Sequence, residues 1–106
     1  MLGKEVVITG LGVVSPIAND LNLFWEGIKS GKSGISLVQS MDDIDQYPVQ
    51  IAGEVRGLDV EKYMDAKEAR KVDPFTAYGM AAASMAIEDA MLYDGSFDPE
   101  RSGVLV

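Results

Sequence analysis

The stretch "VVITGLGVVSPIAND", residues 6–20, joins an apolar run to two glycines one residue apart and then to Ser-Pro. That pattern raises the chemistry of phosphate binding. A dinucleotide loop needs one glycine for the tight turn, a second for backbone approach to pyrophosphate, and a third where helix and strand pack closely. Gly10 and Gly12 fit the first two places, but Ser15 takes the third and Pro16 follows it. Pro16 biases Ser15 away from the α region, so no helix can open where the phosphate would sit. The acidic residue expected about 20 positions on, which would grip a ribose, is also missing, because positions 29–36 read "KSGKSGIS". The segment therefore reads as a buried strand over residues 5–9, followed by a glycine-relaxed stretch passing close to neighbouring backbone.

The chain contains neither cysteine nor histidine. It thus has no thiolate nucleophile, no imidazole base working near neutral pH, no thiolate–imidazole zinc site and no disulfide. Carboxylates cluster in "MDDID" (residues 41–45) and "EDAMLYDGSFDPE" (residues 88–100), but without the order of a calcium loop, and they read as solvated turns. Between them lies "YMDAKEARKVD". Lys67, Arg70 and Lys71 stand at i, i+3 and i+4, so a helix would project all three from one face. Such a face is either ordinary solvated surface, partly neutralised by Glu68 and Asp65, or a local site for an acidic partner, since charges beyond a Debye length of about 8 Å are largely screened.

Several elements must position these groups. Asn19 or Asp20 caps a helix on which Leu21, Phe24, Trp25 and Ile28 share one face, and Gly31 ends it. Phe24 and Trp25 could line a ligand pocket, but their helical spacing predicts a core role. "GKSGIS" turns the chain, and "YPVQIAGEVRG" carries a short strand around residues 51–55, with Pro48 at its start. In "DPFTAYGMAAASMAIEDAM", Asp73 is the cap and Pro74 the first helical residue of about five turns. Phe75, Tyr78, Ala82 and Met85 form one stripe, and the many small residues around it predict a deeply buried helix. A turn at Asp94-Gly95 and the loop "DPERS" lead to residues 103–106, which read as the start of another strand. A buried helix and a strand without neighbours predict a layered α/β body larger than this chain.

Length and charge narrow the function classes. The 106 residues, 47% of them hydrophobic, can form a modest single-domain core. No run of about 18 apolar residues and no signal peptide is visible, which predicts a soluble, cytoplasmic protein without a membrane role. With 17 acidic against 9 basic residues, the net charge of −8 argues against nucleic-acid binding.

"VVITGLGVVSPIAND", "FWEGIKSGKSGIS", the "AGEV" strand and "KEARKVDPFTAYGMAAASMAIEDA" occur in this order. Together they resemble the amino-terminal part of the β-ketoacyl-acyl-carrier-protein synthases, most closely the type II condensing enzymes of bacterial fatty-acid synthesis. The resemblance covers almost the whole chain; Pro74 departs from the family pattern but reinforces the helix start. In that family "TGLGVVSP" is the first strand and turn of a thiolase-type fold. The resemblance implies the N-terminal portion of a five-layer αβαβα fold, with residues 1–106 forming an incomplete part of the synthase amino-terminal domain, and a homodimer. It implies a decarboxylative Claisen condensation with malonyl-acyl-carrier protein, run by a cysteine and two histidines beyond Val106, and no cofactor. No catalytic residue carries over to these positions. In relatives, basic residues of the segment matching "KEARK" help dock the acidic carrier protein, so Lys67, Arg70 and Lys71 are the candidates for that role. Three readings follow: part of an active condensing enzyme, of fatty-acid or polyketide type; part of a non-condensing chain-length-determining homologue; or a small non-catalytic protein that binds carrier protein through the basic patch.

Overall fold

The computed structural model describes residues 3–93 and 95–106. Its elements are helix α1 (Leu21–Lys29), strand β1 (Ile35–Leu37), strand β2 (Ile51–Gly53), a single-turn helix α2 (Ala66–Ala69) and the long helix α3 (Pro74–Asp89). Three 3-10 turns, at Ile44–Gln46, Val60–Lys62 and Pro99–Arg101, shape the connections. The expected Asp94-Gly95 turn involves Asp94, which lies outside the described residues.

The close backbone approach expected at the glycines is present. A Cβ at Gly10 would collide with the Ala86 carbonyl oxygen, and one at Gly12 with that of Ala82. The extended segment thus lies directly on the small-residue side of α3 at Ala82, Ala86 and Ala90. It is tied there by the Leu11 N–H, which donates to the Asp89 carboxylate at 2.9 Å. Residues 5–9, in contrast, are not a buried strand. They belong to no sheet, and Val6, Val7 and Ile8 are 93%, 72% and 82% exposed. A strand needs a neighbouring backbone to satisfy its N–H and C=O groups, and no described segment pairs with this one. Residues 103–106 likewise form no strand and stand exposed.

Ser15 builds the next turn rather than standing in for a glycine. Its hydroxyl accepts from the Ile17 and Ala18 N–H groups and donates to the Ala18 carbonyl. Asp20 then caps α1 by accepting from the Leu23 N–H at 3.0 Å, and Gly31, at φ 72°, follows its end. The helix packs through buried Gly27 against Ile17, which brings Leu21 and Phe24 to half-burial. Trp25, about 100° round the helix from Phe24, and Ile28, one turn beyond Phe24 toward the helix end, remain 57% and 45% exposed, so the expected four-residue core stripe is only half covered.

β1 and β2 pair antiparallel with Ser36 opposite Ala52, forming a two-stranded sheet. β1 falls in a stretch expected to be only a turn, because three residues are too few to display alternation. The acidic loop between the strands keeps Asp42, Asp43 and Asp45 exposed, as expected of solvated turns.

α3 starts at Pro74 after Asp73, whose backbone is extended as a cap residue's should be, although its side chain makes no capping bond. The helix is not deeply buried. Ala77 and Ala81 are its enclosed residues, whereas Phe75 is 73% and Ile87 50% exposed. Its end is closed by two reverse bonds, from Leu92 N–H to the Ile87 carbonyl and from Met91 N–H to the Glu88 carbonyl. This places Met91 at φ 55°, a left-handed position that favours glycine. The chain surface is 8955 Å², against about 5,800 Å² for a compact monomer of this mass. The described elements are therefore an open scaffold around α3.

Two substitutions in different glycine environments separate packing from backbone propensity. Gly12→Ala is expected to destabilise the fold by about 1–3 kcal/mol through overpacking. Gly79→Ala, where an added Cβ meets open space, is expected to stabilise it by about 0.5–1 kcal/mol; denaturant titrations of both variants check the signs. Met91→Gly should also stabilise, by about 1 kcal/mol, by relieving the left-handed strain, read as a rise in Tm.

Candidate functional site

The basic segment is shaped by two aspartates. The Asp65 carboxylate accepts from the Lys67 N–H at 2.8 Å, opening α2, while Asp73-Pro74 forces a break before α3 begins. Only one helical turn fits between them, but it is enough to sort the side chains. Ala66, Ala69 and Val72 are half-buried at i, i+3 and i+6, on the side where α2 meets the Val60–Lys62 turn. Lys67, Arg70 and Lys71 are exposed. Arg70 ends the helix, with its N–H on the Ala66 and Glu68 carbonyls, and the Lys71 N–H also bonds the Glu68 carbonyl. All three predicted site residues are thus brought together at one turn, although the helix that carries them is shorter than their spacing suggests.

Their neutralisation is partial. Lys71 pairs with Glu68 at 3.3 Å, but both side chains are more than 60% exposed, and such a pair contributes only about 0.3–0.5 kcal/mol. Asp65 is occupied as a cap. Among the described residues, Lys67 and Arg70 form no ion pair. The chain's other cations include several committed elsewhere: Lys29 to Glu26, Lys32 to the Ile17 carbonyl, and Arg56 to Glu54 and the Leu37 carbonyl.

The glycine segment can be tested as a phosphate site by the same geometry. The backbone that would cradle pyrophosphate is pressed against α3, and its Leu11 N–H already serves Asp89. Asp20, Glu88 and Asp89 border the adjoining depression, so an anion there would meet carboxylates. This surface opposes a nucleotide.

A second polar cluster was not anticipated from the sequence. The Glu54 carboxylate, just after β2, accepts from the Gln39 N–H at 3.0 Å, the Ser40 N–H at 3.1 Å and the Arg56 guanidinium at 3.1 Å. The Ser40 hydroxyl, then the Gln39 N–H and Arg56, hold its pKa down at about 2. The Arg56 carbonyl accepts from the Asn19 amide at 2.7 Å, so the cluster ties the hairpin to the turn before α1. Its one sequence signal is the i, i+2 spacing of Glu54 and Arg56, which puts both on one side of an extended chain; the Gln39 and Ser40 donors come from a distant loop.

The chain thus combines the "KEARK" turn leading into α3, a glycine segment laid on that helix, and a sequence without Cys or His. The model of the β-ketoacyl synthase N-terminal domain matches residues 3–106. The chain belongs to the β-ketoacyl synthase family. That domain is thiolase-like, and the described residues of this chain form helices with a small two-stranded sheet. It is 41% identical over 103 residues to the 3-oxoacyl-[acyl-carrier-protein] synthase 2 of Staphylococcus aureus strain COL, covering 97% of this chain and 25% of that protein. To the protein of the same name from Synechocystis it is 37% identical, covering 97% of this chain and 24% of the relative. The chain thus spans about a quarter of the length of these curated relatives. No helix among the described residues of this synthase-family chain is long and apolar enough to cross a membrane.

The Glu54 cluster gives a pH dependence with a definite sign. The folded carboxyl has a pKa of about 2, below its ordinary 4.5. Its stabilisation is therefore complete above about pH 4.5 and is lost as pH falls toward 2. Thermal melts between pH 7 and pH 2 should show Tm falling across that window, and Glu54→Gln should lower Tm at neutral pH while flattening the acid limb.

Proposed function

We propose that residues 1–106 form part of the amino-terminal domain of a 3-oxoacyl-[acyl-carrier-protein] synthase II. This cytoplasmic enzyme elongates acyl chains by decarboxylative Claisen condensation with malonyl-acyl-carrier protein. In this chain, Lys67, Arg70 and Lys71 dock the carrier protein. The observation that carries the docking role is the exposure of all three cations at one turn of a chain whose net charge is −8. An acidic partner is repelled by the chain as a whole and attracted at this turn, so the local field selects where it lands. The names of the relatives, both 3-oxoacyl-[acyl-carrier-protein] synthase 2, support the choice of partner.

The chemistry itself lies outside these residues, since no cysteine or histidine is present to carry an acyl group or assist decarboxylation. In the proposed enzyme the acyl thioester forms on a cysteine elsewhere in the protein. Malonyl-carrier protein loses carbon dioxide, and the resulting carbanion attacks that thioester, expelling the cysteine thiolate. The proposal includes a five-layer αβαβα subunit in a homodimer. The exposed apolar side chains of residues 6–8 and of α3 support it, because such surfaces are stable in water only when further layers cover them.

Reversing the charge at Arg70 tests the docking role. In the full-length protein, Arg70→Glu should raise the apparent KM for acyl-carrier protein roughly five- to tenfold at low salt, as expected for about 1 kcal/mol of exposed charge pairing, with little change in kcat. The effect should shrink as ionic strength rises. A KM that Arg70→Glu leaves unchanged at every salt concentration would remove the patch from the mechanism.

A further inference from the structure

Glu68 stands inside the basic segment and divides its cations into two kinds. On a helical turn, residues three or four apart face each other, whereas residues one or two apart do not. Glu68 therefore faces neither Lys67 beside it nor Arg70 two positions on. It does face Lys71, and the two close an ion pair at 3.3 Å, with the acid on the N-terminal side, the better order along a helix. Asp65, the other acid of the segment, turns its carboxylate onto the Lys67 N–H as a cap. Among the described residues the turn thus presents two cations without an acid, Lys67 and Arg70, and a third, Lys71, that already has one.

The Glu68 carboxylate has no other task among the described residues. It is 62% exposed and bonds only Lys71, while the Glu68 backbone carbonyl holds the Arg70 and Lys71 N–H groups whatever side chain stands there. An exposed pair of this kind adds little to stability, so its consequence lies in binding. A carboxylate arriving at Lys67 or Arg70 gains a cation outright, but at Lys71 it only replaces the carboxylate of Glu68. We infer that Glu68 is a built-in competitor of acyl carrier protein, holding Lys71 back so that docking stays weak and release stays fast. The inference rests on the docking role proposed above. A carrier protein that has delivered its acyl group has to leave again, and affinity differences at one interface appear mainly in the off-rate. An internal acid that takes Lys71 back as the partner departs serves that step.

The test uses the full-length protein with fluorescently labelled apo acyl carrier protein, with Kd from anisotropy and koff from stopped flow. At low salt, Glu68→Gln should tighten binding roughly two- to fourfold, the scale of one exposed ion pair, chiefly through slower release. The gain should disappear at high salt, and it should also disappear when Lys71→Ala is added. A gain that persists in full without Lys71 would make Glu68 a plain repulsive charge and overturn the competition. If Arg70→Glu weakens binding and Glu68→Gln leaves Kd unchanged, the competitor is overturned and the docking role stands; if neither variant changes Kd, both fall. Thermal melting supplies the control for folding. An exposed carboxylate predicts a Tm for Glu68→Gln within about 2 °C of the parent, and a loss of many degrees would show that Glu68 serves the fold instead, which also overturns the inference.

Discussion

The contact on which this structure depends is the one between the backbone at Gly10 and Gly12 and the side of α3. It requires small residues on both partners, since the helix presents Ala82, Ala86 and Ala90 where the segment presents no side chain at all. Asp89 secures the contact through the Leu11 N–H. A carboxylate in the last turn of a helix opposes the helix dipole by a few tenths of a kcal/mol or more, so its placement there follows from the long-range bond rather than from helix propensity. Once the segment is laid on α3, the Ser15 turn directs the chain into α1, and Asn19 reaches the Arg56 carbonyl to fix the hairpin. The glycines that resemble a nucleotide loop are thus packing glycines.

The charges divide into internal and external roles. Glu54 and Arg56 face each other across backbone donors and acceptors of the hairpin, and both are consumed in holding loops together. Lys67 and Arg70 are left outside, on a turn whose apolar side is anchored by Ala66, Ala69 and Val72. Arg70 terminates the helix through its own backbone, so the long side chain is presented from a fixed point.

Local signals were legible in the sequence wherever one residue's chemistry decides the outcome. Asp20 as a cap, Gly31 past the helix end and Pro74 at the helix start were all readable because each acts on backbone within one turn of itself. The basic triad was readable for the same reason. Residues 5–9 stand exposed in this chain because an apolar run states a preference for burial without supplying the neighbour that provides it. Trp25 and Phe75 stand exposed on the same ground: helical spacing gives a common face, and only the crossing segment decides which part of that face is covered within this chain. β1 and the Glu54 cluster were missed because each is completed by residues far along the chain.

The sequence by itself determined the family, the starts of α1 and α3 and the absence of thiol and imidazole chemistry, since these depend on residue identity and near-neighbour spacing. The tertiary structure alone decided that the glycines meet a helix and not a phosphate, and that Glu54 is a strongly hydrogen-bonded carboxylate. Each of those depends on what another part of the chain places within a few ångströms, and no local pattern encodes that.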